Sequence, residues 1–207
     1  MADTLDRAHF WDERFSNEDY VFGTEPNAFL KREAHHIPNG SRVLAVADGE
    51  GRNGVFLAEQ GCDVVSTDIS EKGLAKAQRL ADERDVSLQL EQVDLAQYDW
   101  PENTFDAVAA IFIQFAAPEL RERIFEGIRR TLKPGGVLLL EGYRPKQLDY
   151  GTGGPPVAEN MYTEALLREA FEGWDIVKLE SYDAEIHEGS GHGGMSALID
   201  LVARRPA

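Results

Sequence analysis

The chain has 207 residues, 43% of them hydrophobic, which is enough for one well-buried core and short for two independent domains. Thirty-seven acidic residues against twenty-one basic give a formal charge of −16, spread along the chain as solubility alone would explain, and a balance that repels nucleic-acid backbones and anionic membranes. No apolar run approaches the ~18 residues of a membrane helix, and MADTLDRAHFWDERF lacks the basic start and apolar middle of a signal peptide. The single cysteine, Cys62, excludes an internal disulfide and a multi-cysteine metal site, so a cytoplasmic protein is expected.

From residue 41 onward, short β-rich runs alternate with helical patterns, the signature of a doubly wound α/β sheet. RVLAVA (42–47) predicts the first strand, and residues 52–60, carrying Val55, Phe56 and Leu57, the first helix of the alternation. DVVSTD (63–68) predicts the second strand. Ser70 then has the place of an N-cap for a helix through Arg84, with Leu74, Ala77 and Ala81 at helical spacing toward the sheet. SLQLEQVD (87–94) predicts a third strand, and FDAVAAIFI (105–113), apolar on both faces, a central parallel fourth.

A helix is expected from about Pro118 to Leu132, stopped by KPGG (133–136), which turns into the fifth strand, VLLLEGY. The stretch RPKQLDYGTGGPPVAENMYT after it has the length of a functional lid or a disordered loop. After a helix near Thr163–Phe171 come WDIVKLESYDAEIH and SALIDLVARR, joined by a glycine-rich connection too short for a crossover helix. They should pair antiparallel.

The chemistry concentrates at VLAVADGEGRNG (43–54), where a strand breaks into glycines that open a helix. Gly49, Gly51 and Gly54 spell G-x-G-x-x-G, with Asp68 at the end of the next strand, so a dinucleotide site is one reading. A helix amino terminus favours a pyrophosphate, but Asp48 and Glu50 flank Gly49 and work against a doubly negative group. Arg52 fits either a phosphate, a bond to Asp48 or Glu50, or solvent.

Five parallel strands followed by an antiparallel hairpin, with the glycine loop, Asp68, VDL (93–95) and LKPGG in order, resemble the class I S-adenosylmethionine-dependent methyltransferases. The resemblance implies a Rossmann-like, mostly parallel seven-stranded sheet with a C-terminal antiparallel hairpin. It also implies S-adenosyl-L-methionine as cofactor, whose sulfonium and ammonium suit nearby carboxylates. Within the class, FWDERF…YVFGTEPNAFL (10–30), GRNGVFLAEQGCDVVSTDIS and GWDIVKLESYDAEIHEGSGHGGMSALIDLVARR resemble the tellurite-resistance and thiopurine methyltransferases. On that likeness the chain is one domain, residues 1–207, with 1–40 as an N-terminal helical cap from which Trp11, Phe22 and Gly23 touch the cofactor.

Along the sheet edge, Ala47, Gly49, Gly51, Asn53 and Ile111 complete the expected cofactor-binding set with four residues of clearer role. Asp68 is placed to accept the ribose hydroxyls and Asp94 the adenine amino group, with Ile69 and Leu95 as walls for the ring. Two residues depart from the family's D-x-G-x-G-x-G pattern: Ala45 stands for its acid and Ala47 for its first glycine, with Asp48 or Glu50 as possible compensation. A second departure is Glu188, which follows His187 where the tellurite enzymes have arginine, so an anionic acceptor is disfavoured.

His187 is the candidate catalytic residue, its ordinary pKa of about 6.5 letting it take a proton near neutrality. Glu185, His187, Glu188 and His192 match no strong metal-ligand spacing, and no metal is expected. The expected activity is methyl transfer to a small-molecule acceptor (a chalcogen, a thiol or a small metabolite) by a monomer or homodimer that binds neither nucleic acid nor membrane. Two alternatives use the same loop: a nicotinamide-dependent reductase, and a non-catalytic S-adenosylmethionine-binding protein, which Ala45 and Ala47 favour.

Overall fold

Because the first strand and the fourth are apolar on both faces, they can only sit mid-sheet, and the remaining strands extend outward from them. The computed structural model describes residues 2–207, with side chains from Asp6 onward. Its strands are β1 (Arg42–Ala45), β2 (Asp63–Asp68), β3 (Gln89–Gln92), β4 (Phe105–Ile111), β5 (Leu132–Tyr143), β6 (Asp175–Glu188) and β7 (His192–Arg204). They form one sheet in the order β3-β2-β1-β4-β5-β7-β6. Pairs from β3 to β5 are parallel, and β7 runs antiparallel to both β5 and β6. This is the α/β Rossmann-like, mostly parallel sheet with a terminal antiparallel hairpin that the sequence predicts.

The helices are α1 (Ala2–Arg14), α2 (Ala28–Glu33), α3 (Arg52–Glu59), α4 (Glu71–Glu83), α5 (Pro118–Thr131), α6 (Gln147–Tyr150) and α7 (Glu164–Ala170). Alternate strand residues divide the core into two layers. Leu44, Val108, Leu138 and Leu140 pack with Ile124, Phe125 and Ile128 of α5 and Leu167 of α7. Val43, Ala45, Ala107, Ala109 and Leu139 pack on the other face with Phe29 and Leu30 of α2 and Phe56 and Leu57 of α3. Helix starts follow local chemistry: the Ser70 hydroxyl accepts from Gly73 N at 3.0 Å, and Thr163 does the same for Leu166 N at 3.2 Å.

Two local features differ from expectation. Lys133–Gly136 does not precede the fifth strand but bulges within it, since Leu132 pairs with Phe105 and Val137 with Ala107. Gly135 and Gly136 are held there by Arg205, whose carbonyl accepts from Gly135 N and whose N–H donates to Gly136 O, at 3.0 and 2.9 Å. The hairpin also pairs further than expected: Glu188 lies opposite His192 and His187 opposite Gly193, leaving only residues 189–191 as the turn.

The turn between β1 and α3 runs through left-handed backbone at Ala47, Gly49 and Gly51, with φ of 49, 59 and 87°. At Gly51 the geometry admits no side chain, because a Cβ there would lie 2.5 Å from that of Ala77 in α4. Ala47 pays for its methyl with strain that glycine avoids. Replacing Ala47 with glycine should therefore raise the urea midpoint, a gain of about 0.5–1 kcal/mol at unchanged m value; a lower midpoint would contradict the strained turn.

Candidate active site

A cavity opens where β1, β2, β3 and β4 all end, beside the point at which strand order reverses between β1 and β4. Each strand end delivers residues to the lining: Ala47, Asp48 and Gly49 after β1, Asp68 and Ile69 at the end of β2, Val93, Asp94 and Leu95 after β3, Ile111 and Phe112 at the end of β4. Asn53 and Arg52 enter from α3, Arg7, Trp11 and Phe15 from α1 and the turn that follows it, Phe22 from the cap, and His192 from β7.

Asp68 is fixed by two backbone donors, Gly49 N to Oδ2 at 2.8 Å and Ser70 N to Oδ1 at 2.9 Å. A carboxylate has about four acceptor sites, so each oxygen retains one for a further donor. Burial pushes its pKa up to about 6 despite those bonds. Asp48 is pushed higher, to about 7, also by burial, although Ser66 Oγ and Gly54 N donate to its Oδ2 at 2.9 and 3.0 Å. Asp94 accepts from the Arg7 guanidinium at 3.0 Å and from Ala96 N at 3.0 Å.

The second half of the site is an ionic chain that joins distant segments. Arg52 Nη2 donates to Glu188 Oε2 at 2.7 Å, and His192 Nδ1 lies 3.3 Å from the same oxygen. Burial would raise the Glu188 pKa, but His192 and Arg52 hold it down to about 2. Asn27 Nδ2 donates to Glu188 Oε1 at 3.0 Å and to Glu141 Oε2 at 2.5 Å. Glu141 faces Asp200 across the β5–β7 pair, and burial, then the Asp200 charge, raises the Glu141 pKa well above the ordinary carboxyl range. Around His192 stand Phe112, Phe22 and Tyr143, with ring centroids at 4.5, 4.6 and 5.8 Å.

Ten of the twelve residues expected to bind cofactor line this cavity: Trp11, Phe22, Ala47, Gly49, Asn53, Asp68, Ile69, Asp94, Leu95 and Ile111. Gly51 and Gly23 are not among them. Gly51 instead lets α3 approach α4, and Gly23, at φ 72°, packs against the hairpin turn at Gly189. His187 lies outside as well: its side chain is 77% exposed and sits 3.6 Å from Glu185 on the outer face of β6. The histidine in the cavity is His192.

Glu50 does not face the cavity either. It is buried against Lys76 Nζ at 2.5 Å and accepts from Val21 N at 2.8 Å, so it anchors the cap segment. Arg52 takes none of the three roles open to it in sequence, because its partner Glu188 lies 136 positions away. Sequence reasoning missed Arg7, Phe112 and Phe115, weighed Phe15 as either a cofactor contact or a staple of the first helix to the sheet, and weighed His192 only as a metal ligand. Among the described residues, the one group with ligand atoms gathered within 4.8 Å is Glu33, His35 and His36, where Glu33 is already paired with Lys178 and Arg32 at 2.8 and 3.0 Å.

Residues 43–136 match the family described as methyltransferase domain. Phosphatidylethanolamine N-methyltransferase of Cereibacter sphaeroides is 31% identical over 130 residues, covering 61% of this chain and 63% of that protein. The chain spans less than two thirds of the length of the first curated relatives it matches. A structure concerned with conversion of a disulfide bond into a thioacetal group during echinomycin biosynthesis superposes with a TM-score of 0.74 at 20% identity, covering 97% of this chain and 93% of the other. TehB from Haemophilus influenzae does so at 0.71 and 18%, covering 96% and 67%. These two likenesses concern the fold. No helix among the described residues is long and apolar enough to cross a membrane.

Asp48 generates a stability prediction. An acid whose pKa is raised on folding keeps its proton longer in the native state, so stability falls as pH climbs from the ordinary carboxyl range to about 7. Asp68 and Asp200, both raised to about 6, add to that slope, whereas His36 and His192, both lowered, oppose it near neutrality. Both Asp48 hydrogen bonds end on one oxygen, so Asp48→Asn keeps them and removes only the buried charge. Urea melts between about pH 5 and 8 should show a flatter loss of stability in the variant, by up to ~1.4 kcal/mol for each pH unit crossed; identical slopes would contradict the buried ionisation.

Proposed function

We propose that this chain, whose residues 43–136 form a methyltransferase domain of the class I S-adenosylmethionine-dependent type, moves the methyl group of that cofactor to a small-molecule acceptor held beside His192. The observation that carries the reading is the order of groups along the sheet edge, a side-chain-free Gly49, then Asp68, then Asp94, on one cavity. The cavity's chemistry suits the cofactor. A Cβ at Gly49 would approach Phe15 Cζ to 3.2 Å, so glycine keeps the backbone open to close approach.

The free acceptor sites of Asp68 would take the two ribose hydroxyls, and Asp94, shared with Arg7, the adenine amino group between Ile69, Val93 and Leu95. Asp48 and Asp68 give the cationic end of the cofactor a carboxylate-rich wall, which a pyrophosphate would find repulsive. Trp11 and Phe22, whose faces lie near the Arg14 guanidinium at 5.7 and 5.4 Å, would close over the ligand and exclude water. When bound, S-adenosylmethionine supplies an electrophilic methyl carbon on a positively charged sulfur. The protein's part is then alignment and desolvation.

The acceptor end sets this chain apart from an oxyanion enzyme. The buried Arg52 is consumed by Glu188, and Glu188 itself repels a second anion. The TehB likeness therefore supports the fold alone, and the acceptor we assign is uncharged.

Calorimetry tests the reading. S-adenosylhomocysteine should bind with micromolar-order affinity, and Asp68→Ala should weaken it ~10-fold or more, the scale of a lost charged hydrogen bond. In buffers of different ionisation enthalpy near pH 6.5, S-adenosylmethionine should release more protons than the homocysteine product. Its extra positive charge lowers the raised pKa values of Asp48 and Asp68. Absence of heat with either ligand, or equal proton release, would contradict the assignment.

A further inference from the structure

Resting on that reading of the cavity, we infer that His192, oriented by Glu188, is the base that takes a proton from the acceptor, and that the acceptor is a neutral, flat ring compound bearing a removable O–H or N–H.

A carboxylate only accepts, so the 3.3 Å contact between His192 Nδ1 and Glu188 Oε2 is an N–H donated by the ring. That bond fixes the tautomer and leaves Nε2 as the acceptor. Among the described residues no group donates to Nε2, and the ring lines the same cavity as Asp68 and Ile69. Glu188 is in turn held by Arg52 at 2.7 Å and Asn27 at 3.0 Å. This is the geometry of a base whose orienting group is itself fixed.

The groups facing His192 from each neighbouring element agree with a neutral resting imidazole. Glu188 of β6 favours the charged form, Arg52 of α3 and Arg14 of α1 oppose it, and Tyr143, Phe22 and Phe112 supply apolar walls. Burial is the largest influence and lowers the pKa. A neutral imidazole accepts a proton, and the Glu188 carboxylate then pairs with the imidazolium.

In the transfer step the acceptor heteroatom gives its proton to His192 Nε2 while its electron pair forms the bond to the methyl carbon. The carbon–sulfur pair stays with sulfur, which becomes a neutral thioether, and the imidazolium later returns its proton to water. An acceptor that is already an anion needs no such base and meets the Glu188 charge. The rings of Phe22 and Phe112 beside that base, with Phe115 lining the same cavity, favour a planar ring over an aliphatic chain.

The probes are 4-methylphenol and catechol as neutral acceptors, with thiophenolate as an acceptor that needs no proton removed. In the wild type, nitrogen NMR of the S-adenosylhomocysteine complex should show the His192 Nε2 resonance shifting when a neutral probe is added. His192→Gln should lose methyl transfer to the neutral probes ~100-fold or more and lose the acidic limb of their pH–rate profile, while the slower transfer to thiophenolate, which Glu188 repels in both proteins, should fall far less. Equal loss for both probe classes, no loss for either, or a wild type that binds S-adenosylhomocysteine but neither shifts His192 nor methylates any neutral probe would overturn the inference. Failure to bind S-adenosylhomocysteine at all would instead overturn the proposed function.

Discussion

The buried pair of Arg52 and Glu188 holds the two halves of this molecule in register. Arg52 begins the helix that follows the glycine loop, and Glu188 ends β6 at the hairpin turn; their side chains are only 8% and 11% exposed. Neither charge tolerates such burial alone, since the desolvation cost of each is offset only by the other and by the hydrogen bonds that complete them. Asn27 and His192 supply those bonds. The start of α2, the glycine loop and the hairpin therefore converge on one carboxylate.

Acidic groups dominate what surrounds that pair, and the structure handles each differently. Glu50 is neutralised by Lys76, and Asp200 is paired with Arg32 at 2.6 Å. Glu141 meets neutral donors, Asn27 Nδ2 and the Tyr182 hydroxyl, and lies beside the Asp200 carboxyl; burial first, and the Asp200 charge after it, raise its pKa well above the ordinary carboxyl range. Asp48 and Asp68 rely on backbone and hydroxyl donors alone. Such half-neutralised carboxyl groups are costly in the folded protein and are found where function needs them, here where a cationic ligand would complete the charge balance.

The parts legible in sequence were those governed by local rules. Alternation placed β2 at 63–68, Ser70 announced the start of α4, and the ends of the parallel strands named most of the cavity wall. Less legible was whatever depends on which way a residue turns. Period-two alternation puts Glu185 and His187 on one face of β6, yet does not say whether that face is the inner one. The hairpin register, with Glu188 opposite His192, turns Glu188 inward and leaves His187 in solvent. Long-range partners were likewise hidden: nothing local in GEGRNG distinguishes Glu50, which anchors the cap, from Asp48, which lines the cavity.

If one ion pair joins the halves, its two members must be energetically inseparable. A double-mutant cycle with Arg52→Met and Glu188→Gln, read by urea unfolding, measures this directly. Each single change should cost about 3–5 kcal/mol because it strands a buried partner, and the double change should cost clearly less than their sum. Two small losses that simply add, to within about 0.5 kcal/mol, would contradict the central place given to this contact.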